Sequence, residues 1–597
     1  MAQFFKFVLA SCLGVVLSMV AVFIISSAVI GSLANKGDSE LVDVKDNSIL
    51  HITLDKTLPE LTDNVETSTA DFFAKDKLPS IHNAINSIER AANDGKIKGI
   101  FIQMSNISQG LTQIEALHNA LMDFKKRGKF IYAYADNYSQ GAYYIASTAD
   151  SIFLNPNGSI DWKGFASQIP FFKDMSDRLG IKWQIYYAGQ FKSATESLRL
   201  DKMSDQNKLQ TRAYISTIYH NFLTDISIAR SIPVSNLQNY ADTYACRNAK
   251  NALDIKMVDK LAYYDEVLQT LRAKTGTKTS DKVKVISLED YTNSFNPNSS
   301  DAKDKIAIVY AEGSIVESDG ENVKNGEIEG NRYAKIIRKL RNDATVKAIV
   351  LRINSGGGSA FASDVIWHEL TLARQQGKIV VSSFGDVAAS GGYYIAMASD
   401  SIFAEPNTIT GSIGVFSVIP GLQNTLKSKL GVSFDTVKTG KYAAGINLWY
   451  NINDDEGKLL QQNTDSVYEK FLNRVAVCRN KTRDQIHAVA QGRVWSMPQA
   501  IEMGLVDKTG NLETAINAAA AKAGLKTFKR IEYPKIRDSF SQLLDKFTKN
   551  KTSDDGLAAI KAFDKNTNSE FASYFYQMLT LNKMNNPQMR LVNSIKY

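Results

Sequence analysis

Ser390 is followed by two glycines in the segment Ala-Ala-Ser-Gly-Gly, and we predict that it lies between a strand and the start of a helix. Unpaired N–H groups and the positive end of the helix dipole favour an alkoxide or an oxyanion there. A glycine run, 356–358, follows another predicted strand, so the amides of Gly357 and Gly391 could bind an oxyanion. A phosphate-binding glycine turn would give the same pattern, and the motif G-x-S-x-G is not matched.

A serine hydroxyl needs a base before it can act as a nucleophile. The six histidines lie outside the matched glycine-rich segments. Lys192, in Tyr-Tyr-Ala-Gly-Gln-Phe-Lys-Ser-Ala, is the candidate because its neighbours in the sequence include no carboxylate. It can accept a proton only if burial lowers its pKa from about 10.4. The pair His368-Glu369 lacks the second histidine of H-E-x-x-H, so a zincin is excluded, and we expect no metal and no cofactor.

The two candidates belong to different halves of an internal duplication. The tract YYIASTADSIFLNP at 143–156 returns as YYIAMASDSIFAEP 250 residues later, with nine of fourteen positions identical. Gln140 stands in the first half where Ser390 stands in the second, and Ala443 stands in the second half where Lys192 stands in the first. Each half keeps one of the two reactive side chains, so we predict one composite active site.

The elements around these residues are those of an α/β fold. Residues 348–353 and 379–384 are continuous apolar, β-branched runs, which is the pattern of parallel strands buried on both faces. Residues 360–376 have helical spacing and end before Gly377. The first half repeats this order with a strand at 99–104, a helix at 111–126 and a strand at 130–135. We therefore predict an α/β domain in each half.

The 24 residues from Phe7 to Ile30 carry no charge, and an apolar helix of about 20 residues spans a bilayer. The run is too long for an ordinary signal-peptide core, so we predict an uncleaved membrane anchor, although residues 32–34 could form a weak cleavage site. The hydrophilic bulk of the chain follows this span, so we expect the protein to work on one side of the membrane.

The composition and these boundaries give a predicted organisation in chain order. Its parts are a membrane anchor with a short N-terminal tail (1–34), a stalk (35–46), an N-terminal repeat carrying the lysine (47–292), a linker (293–304), a C-terminal repeat carrying the serine (305–535) and a helical tail (536–597).

The charge and cysteine content exclude other classes of function. The net charge of +8 arises from 70 basic and 62 acidic residues, and no long basic run with interleaved aromatic residues occurs, so we expect no nucleic-acid partner. The three cysteines lie far apart and outside any C-x-x-C pair, so the sequence gives no support for a disulfide.

Several motifs resemble those of signal peptide peptidase A (protease IV) in its long, duplicated form, peptidase family S49 of the Clp-protease/crotonase superfamily. The resemblance covers roughly residues 45–530. The motifs are I-N-S-G-G-G-S at 353–359, D-V-A-A-S-G-G-Y-Y at 386–394, T-G-S-I-G-V at 410–415, G-Q-F-K-S-A at 189–194, and G-R-V-W-S with A-I-E-M-G-L-V-D within 492–507. One departure is Gly356, where relatives commonly have proline.

This resemblance implies a serine endopeptidase with a Ser-Lys dyad. Ser390 would attack the peptide carbonyl, Lys192 would take its proton, and Ser412 would hold the lysine amine. The glycines implied for the oxyanion hole are Gly357, Gly358 and Gly391. The resemblance also implies a homotetramer on the periplasmic side of the bacterial inner membrane, which degrades cleaved signal peptides and other short or unfolded peptides without a cofactor.

Two other hypotheses stay open at this point. A crotonase-like acyl-CoA enzyme would use paired backbone amides to hold a thioester oxyanion, but such enzymes are usually soluble and need neither Ser390 nor Lys192. A catalytically silent membrane scaffold would not explain why complementary halves keep the serine, the lysine and the glycine loop.

Overall fold

A computed structural model describes most of the chain between residues 42 and 535. The described residues are 18, 42–62, 64, 78–278, 280–295, 301–317, 326–535 and 588–590. No helix among them is long and apolar enough to cross a membrane. The predicted span at 7–30 and the predicted tail at 536–597 lie outside these residues, apart from Ser18 and the strand at 588–590. Both therefore stay predictions.

Short strands alternate with helices through the first half. The strands are β1 (Ser48–Ile52), β2 (Ile97–Gln103), β3 (Phe130–Ala135), β4 (Ser151–Leu154), β5 (Lys182–Ala188), β6 (Lys260–Leu261) and β7 (Val285–Ser287). The helices are α1 (Ile81–Asn93), α2 (Leu111–Lys126), α3 (Gln140–Ala146), α4 (Lys173–Leu179), α5 (Glu196–Arg199), α6 (Asp205–Arg230), α7 (Val234–Asp242), α8 (Ala249–Asp254), α9 (Tyr264–Thr275) and α10 (Leu288–Asn293).

The second half repeats the alternation and adds a strand close to the C-terminus. The strands are β8 (Lys305–Glu312), β9 (Ser314–Val316), β10 (Glu327–Glu329), β11 (Val346–Ser355), β12 (Gly357–Ser359), β13 (Ile379–Ala389), β14 (Ser401–Ala404), β15 (Ile409–Gly411), β16 (Val415–Gly421), β17 (Val494–Ser496), β18 (Lys508–Thr509), β19 (Lys529–Tyr533) and β20 (Gln588–Arg590). The helices are α11 (Gly330–Asn342), α12 (Ala360–Gln375), α13 (Gly391–Ala396), α14 (Gln423–Leu430), α15 (Asp454–Cys478), α16 (Arg483–Val489), α17 (Met497–Glu502) and α18 (Leu512–Lys522).

Each half is built on its own sheet. The first sheet has the order β6-β4-β3-β2-β1-β7, and all of its pairs are parallel. The second has the order β17-β15-β13-β11-β8-β19, with β14 beside β13 and β18 beside β14. Its central pairs are parallel, and β15 pairs with β17 in the antiparallel sense. The predicted α/β class is confirmed.

The central strands form where the sequence has continuous apolar runs. Strand β11 extends beyond the predicted residues 348–353 at both ends, and its side chains are buried on both faces from Ala348 to Ile353. Strand β13 continues past the predicted end at residue 384, because Val387 to Ala389 pair with β15. Helix α12 begins directly after β12, where the Ser359 side chain accepts from the backbone N–H of Ala362. Strand β13 is separated from α13 by Ser390 alone.

A third sheet joins the two halves. Its order is β10-β9-β12-β20-β16-β5, and β5 is the only one of these strands from the first half. Strands β5 and β16 pair in the antiparallel sense from Ala188 opposite Val415 to Lys182 opposite Gly421. The segment that follows β5 in the chain therefore lies against the second half, and Lys192 is in that segment.

A buried ion-pair network also connects the halves. The guanidinium of Arg352 lies 2.9 Å from the carboxylate of Glu60 and 2.8 Å from that of Glu405. Glu60 also lies 2.6 Å from the His82 ring. Burial alone would raise the pKa of Glu60, but the charges of Arg352 and His82 hold that pKa below its ordinary range. The network is thus stable only while the arginine stays in place.

Removing that arginine should strongly destabilise the fold. In the Arg352→Met variant two buried carboxylates lose their cation, and breaking a buried pair typically costs about 3–5 kcal/mol. We expect a loss of that size in the free energy of unfolding, measured by guanidinium denaturation. Lys173, which makes an exposed ion pair of 2.7 Å with Asp177, provides the control. Lys173→Met should change the free energy of unfolding far less, because an exposed ion pair is screened by solvent, and an equal effect of both variants would contradict the prediction.

Candidate active site

Ser390 lies at the junction between β13 and α13, close to the edge where β13 meets β15. Its backbone N–H donates to the carbonyl of Gly411 at 2.8 Å, which continues the strand pairing by one residue. Its side chain is fully buried within the described structure. The predicted position between a strand and a helix is the one observed.

The backbone of Ser390 is strained. Its φ of 56° and ψ of −115° lie in a region that residues with a side chain rarely adopt, at a cost of about 1–3 kcal/mol. A sharp strand-to-helix turn of this kind also presents the nucleophile in α/β-hydrolases. The G-x-S-x-G motif that marks such turns is absent here, so the sequence motif gave no sign of the strain.

Lys192 reaches Ser390 from the other half of the chain. Its Nζ lies 2.8 Å from Ser390 Oγ and 3.0 Å from both the hydroxyl and the carbonyl oxygen of Ser412. The structure therefore brings together Ser390 and Lys192, which the sequence singled out, and Ser412, which the family resemblance implied. No histidine in the described part of the chain hydrogen-bonds to Ser390.

The environment of Lys192 disfavours its charged form. The side chain is 1% exposed, and burial lowers the pKa of Lys192 to about 7. Its hydrogen-bond partners are hydroxyl and carbonyl oxygens, and the aromatic ring of Phe416 lies 5.9 Å from Nζ. The amine is therefore largely neutral above pH 7, the state in which it can accept a proton.

Two glycines allow the lysine segment to approach the second half closely. Gly189 has a φ of +106°, and a Cβ on it would collide with the backbone of Gln491. A Cβ on Gly492 would lie 2.6 Å from Lys192 Cβ. Between them the Phe191 N–H donates to the Gln491 carbonyl at 2.8 Å. Backbone packing thus fixes where the lysine side chain begins.

Gln210 on α6 has a positioning role that the sequence did not reveal. Its side chain is 1% exposed, and its Nε2 donates to the Phe191 carbonyl at 3.1 Å and to Ser193 Oγ at 3.0 Å. Its Oε1 accepts from the Val494 N–H at 3.0 Å. The side-chain amide of Gln210 therefore links the residues on both sides of Lys192 to the second half. No sequence motif identifies Gln210.

The candidate oxyanion glycines lie beside Ser390 but differ in their own contacts. A Cβ on Gly391 would be 3.1 Å from the backbone nitrogen of Gly358, which shows how closely the two segments approach. The Gly357 N–H donates to Ser355 Oγ at 3.1 Å and is therefore engaged within its own loop. The backbones of Gly358 and Gly391 therefore lie close together beside Ser390, whereas the Gly357 N–H already has a partner.

Gln140 and Ala443, which correspond to Ser390 and Lys192 in the other half of the duplication, do not form a similar pair. The side-chain oxygen of Gln140 accepts from the N–H groups of Lys163 and Gly164, and its Nε2 donates to the Gly164 carbonyl at 3.0 Å. Ala443 lies in an exposed segment between α14 and α15. Within the described residues no group of three or more His, Cys, Asp or Glu side chains could hold a metal ion.

Comparison with known proteins gives consistent matches. The model of peptidase family S49 matches residues 123–278 and again residues 372–526. Protease 4 of Salmonella typhi is 36% identical over 479 residues, which is 79% of this chain and 76% of that protein. Protease 4 of Haemophilus influenzae is 34% identical over 451 residues, 74% of this chain and 72% of its own length.

Two further similarities are to a plant protein and to a solved structure. The chloroplastic serine protease SPPA of Arabidopsis thaliana is 30% identical over 462 residues, covering 76% of this chain and 68% of that protein. Among solved structures, a ClpP1 mutant from Listeria monocytogenes is 15% identical, with a TM-score of 0.24, and the match covers 35% of this chain and 94% of that one.

Proposed function

Because the chain belongs to peptidase family S49, which makes it a serine peptidase, we propose that Ser390 is its nucleophile and Lys192 its general base. One observation carries the assignment: a lysine that is 1% exposed places its Nζ 2.8 Å from the hydroxyl of the serine. A general base must lie within hydrogen-bond reach of the proton that it removes. The pair is therefore a Ser-Lys dyad assembled from both halves.

The hydrogen-bonding capacity of a neutral amine matches the contacts of Lys192. Such an amine has two N–H donors and one lone pair. Its donors can face the carbonyl and hydroxyl oxygens of Ser412, both at 3.0 Å. The lone pair then faces the hydroxyl of Ser390, which donates its proton as the oxygen attacks. Ser412 thus orients the amine toward the nucleophile.

The remaining steps follow from the same groups. As Ser390 Oγ attacks the peptide carbonyl, the oxyanion accepts hydrogen bonds from the N–H groups of Gly358 and Gly391. The protonated Lys192 then gives its proton to the leaving amine, and an acyl-enzyme remains. Lys192 next takes a proton from water, which hydrolyses the ester, and Ser390 regains its hydroxyl proton.

We also propose where the protein lies in the cell, how it assembles and which peptides it degrades. We place the protein in the bacterial inner membrane, anchored by residues 7–30, with its Clp-protease/crotonase-like repeats on the periplasmic side as a homotetramer. Its substrates are then cleaved signal peptides and other short or unfolded peptides. The charge-free apolar run supports the anchor, since it holds the site near peptides left in the bilayer.

Reaction with a fluorophosphonate, mapped by mass spectrometry, tests the nucleophile. We expect one adduct, on the peptide that contains Ser390, because the base beside it activates this hydroxyl. Ser390→Ala should lose the adduct, while Ser193→Ala, which removes another hydroxyl next to Lys192, should keep it. No adduct, or an adduct elsewhere, would contradict the proposal and favour an acyl-CoA enzyme or a catalytically silent scaffold.

A further inference from the structure

The glycine loop at 356–358 has little rigidity of its own. Its three consecutive residues lack Cβ atoms, and Gly357 has a φ of +99°, so many backbone conformations are accessible to it. A site that binds an oxyanion needs N–H donors that are already oriented when the reaction begins. A contact from outside the loop is therefore needed to fix its peptide planes.

Ser355, the last residue of β11, makes such a contact. Its side chain is buried, and its Oγ donates to the carbonyl of Gly313 at 2.6 Å and accepts from the N–H of Gly357 at 3.1 Å. The Gly313 N–H in turn donates to the Asn354 carbonyl at 3.0 Å. One hydroxyl therefore connects the glycine loop to the segment that follows β8.

Ser355 also lies against the helix start that follows the nucleophile. Its backbone pairs with that of Ala388, two residues before Ser390. A Cβ on Gly392 would lie 2.5 Å from the Ser355 carbonyl oxygen, so the two backbones are in close contact. The same residue thus contacts the glycine loop and the start of α13, which contains Gly391.

We propose that Ser355 is a positioning residue for peptide hydrolysis, whose hydroxyl holds the glycine loop in the orientation in which the Gly358 N–H reaches the oxyanion. The peptide units that carry the N–H groups of Gly357 and Gly358 share the Gly357 Cα, so holding the first restricts the second. Without the hydroxyl the buried Gly357 N–H loses its partner, which favours a turn of the loop toward another acceptor. This inference rests on the proposed function, since the loop binds an oxyanion only if Ser390 is the nucleophile.

A residue with this role affects the transition state more than the bound substrate. The carbonyl oxygen of the substrate becomes an oxyanion only as Ser390 attacks, so a misoriented donor lowers kcat and leaves KM nearly unchanged. Removing an oxyanion donor outright typically costs about 10²–10³ in kcat. Ser355→Ala keeps the donor but releases the loop, so we expect kcat for a quenched fluorescent peptide to fall at least about tenfold.

A peptide aldehyde tests the oxyanion site separately from substrate binding. The Ser390 hydroxyl adds across the C=O group of the aldehyde, and the oxygen of the tetrahedral hemiacetal takes the position of the oxyanion. We expect Ser355→Ala to raise the inhibition constant of the aldehyde at least about tenfold, while KM for the fluorescent peptide changes less than about twofold. Ser355→Cys, which is similar in size but a weaker hydrogen-bonding group, should show the same divergence and serves if the alanine variant does not fold.

Ser399→Ala is the matched control. Ser399 is also buried, beyond the C-terminal end of α13, and its hydroxyl oxygen lies 2.7 Å from that of Ser382. Its removal should leave both kcat and the inhibition constant of the aldehyde unchanged, although a buried hydrogen bond is lost there as well. Circular dichroism establishes that each variant is folded.

Two outcomes would overturn the role of Ser355. In one, the inhibition constant and KM rise by the same factor in the folded Ser355 variants, and in the other neither changes. The proposed function fails separately, if the wild type is not inhibited by the aldehyde and forms no fluorophosphonate adduct at Ser390.

Discussion

Ser390→Ala and Lys192→Ala should each lower kcat/KM for peptide hydrolysis by at least about 10²-fold, because loss of a general base alone typically costs that much. Nζ of the lysine and Oγ of the serine are 2.8 Å apart and act on the same proton. Removing both should therefore cost little more than removing one. Initial rates measure the effect, and circular dichroism establishes that the variants are folded.

The duplication offers matched controls for this experiment. Gln140→Ala and Ala443→Gly alter the positions that correspond to Ser390 and Lys192 in the other copies, and both should keep most of the activity. The amide of Gln140 serves its own loop through Gly164, and Ala443 lies outside the site. If Lys192→Ala kept more than about a tenth of the wild-type rate, the lysine would not be the base.

The sequence predicted the strands and the site residues by different routes. Apolar, β-branched runs sufficed for β11 and β13, because strands buried on both faces admit few polar residues. Ser390 and Lys192 stood out because each half of the duplication has lost one of them. Comparing the residue types at corresponding positions of the two halves is enough to identify these two candidates, and it requires no knowledge of the three-dimensional structure.

Other features depend on contacts that local sequence does not encode. The pairing of β5 with β16 joins residues more than 200 positions apart, and neither strand has a sequence pattern that identifies the other as its partner. Gln210 makes two hydrogen bonds to the lysine segment and a third to Val494 of the second half, yet it looks like any polar residue on a helix. The strained backbone at Ser390 is imposed by the segments that surround it.

The pH dependence of catalysis should report the buried lysine. Burial lowers the pKa of Lys192 to about 7, and the neutral amine is the active form. We therefore expect kcat/KM to rise with pH along a limb with an apparent pKa near 7 and to level off above it. Histidine has a reference pKa of about 6.5, so the position of the limb alone does not identify the base. Replacing each histidine in turn should leave the limb in place, and its loss in one folded variant would transfer the role to that histidine.

The pH dependence of protein stability tests the lowered pKa of Lys192 without an activity measurement. The pKa of Lys192 is about 7 in the folded protein but near 10.4 in the unfolded chain, so between these values the unfolded state binds one more proton. Stability must then increase with pH across this window. From about pH 7.5 to 9.5 the wild type should gain about 1.4 kcal/mol per pH unit relative to Lys192→Met in its free energy of unfolding.

The same difference in pKa between the folded and unfolded states also determines whether the wild type or Lys192→Met is the more stable protein. At pH 7.5 the wild type must deprotonate a lysine in order to fold, and Lys192→Met avoids that penalty, so the inactive variant should be the more stable protein. Lys173→Met, at an exposed lysine, should parallel the wild type between about pH 7.5 and 9.5, because a lysine with an alkaline pKa stays charged in both states there. Parallel curves for Lys192→Met as well would mean that Lys192 keeps its ordinary pKa when folded. It would then be almost fully charged at neutral pH and unable to act as the base for Ser390.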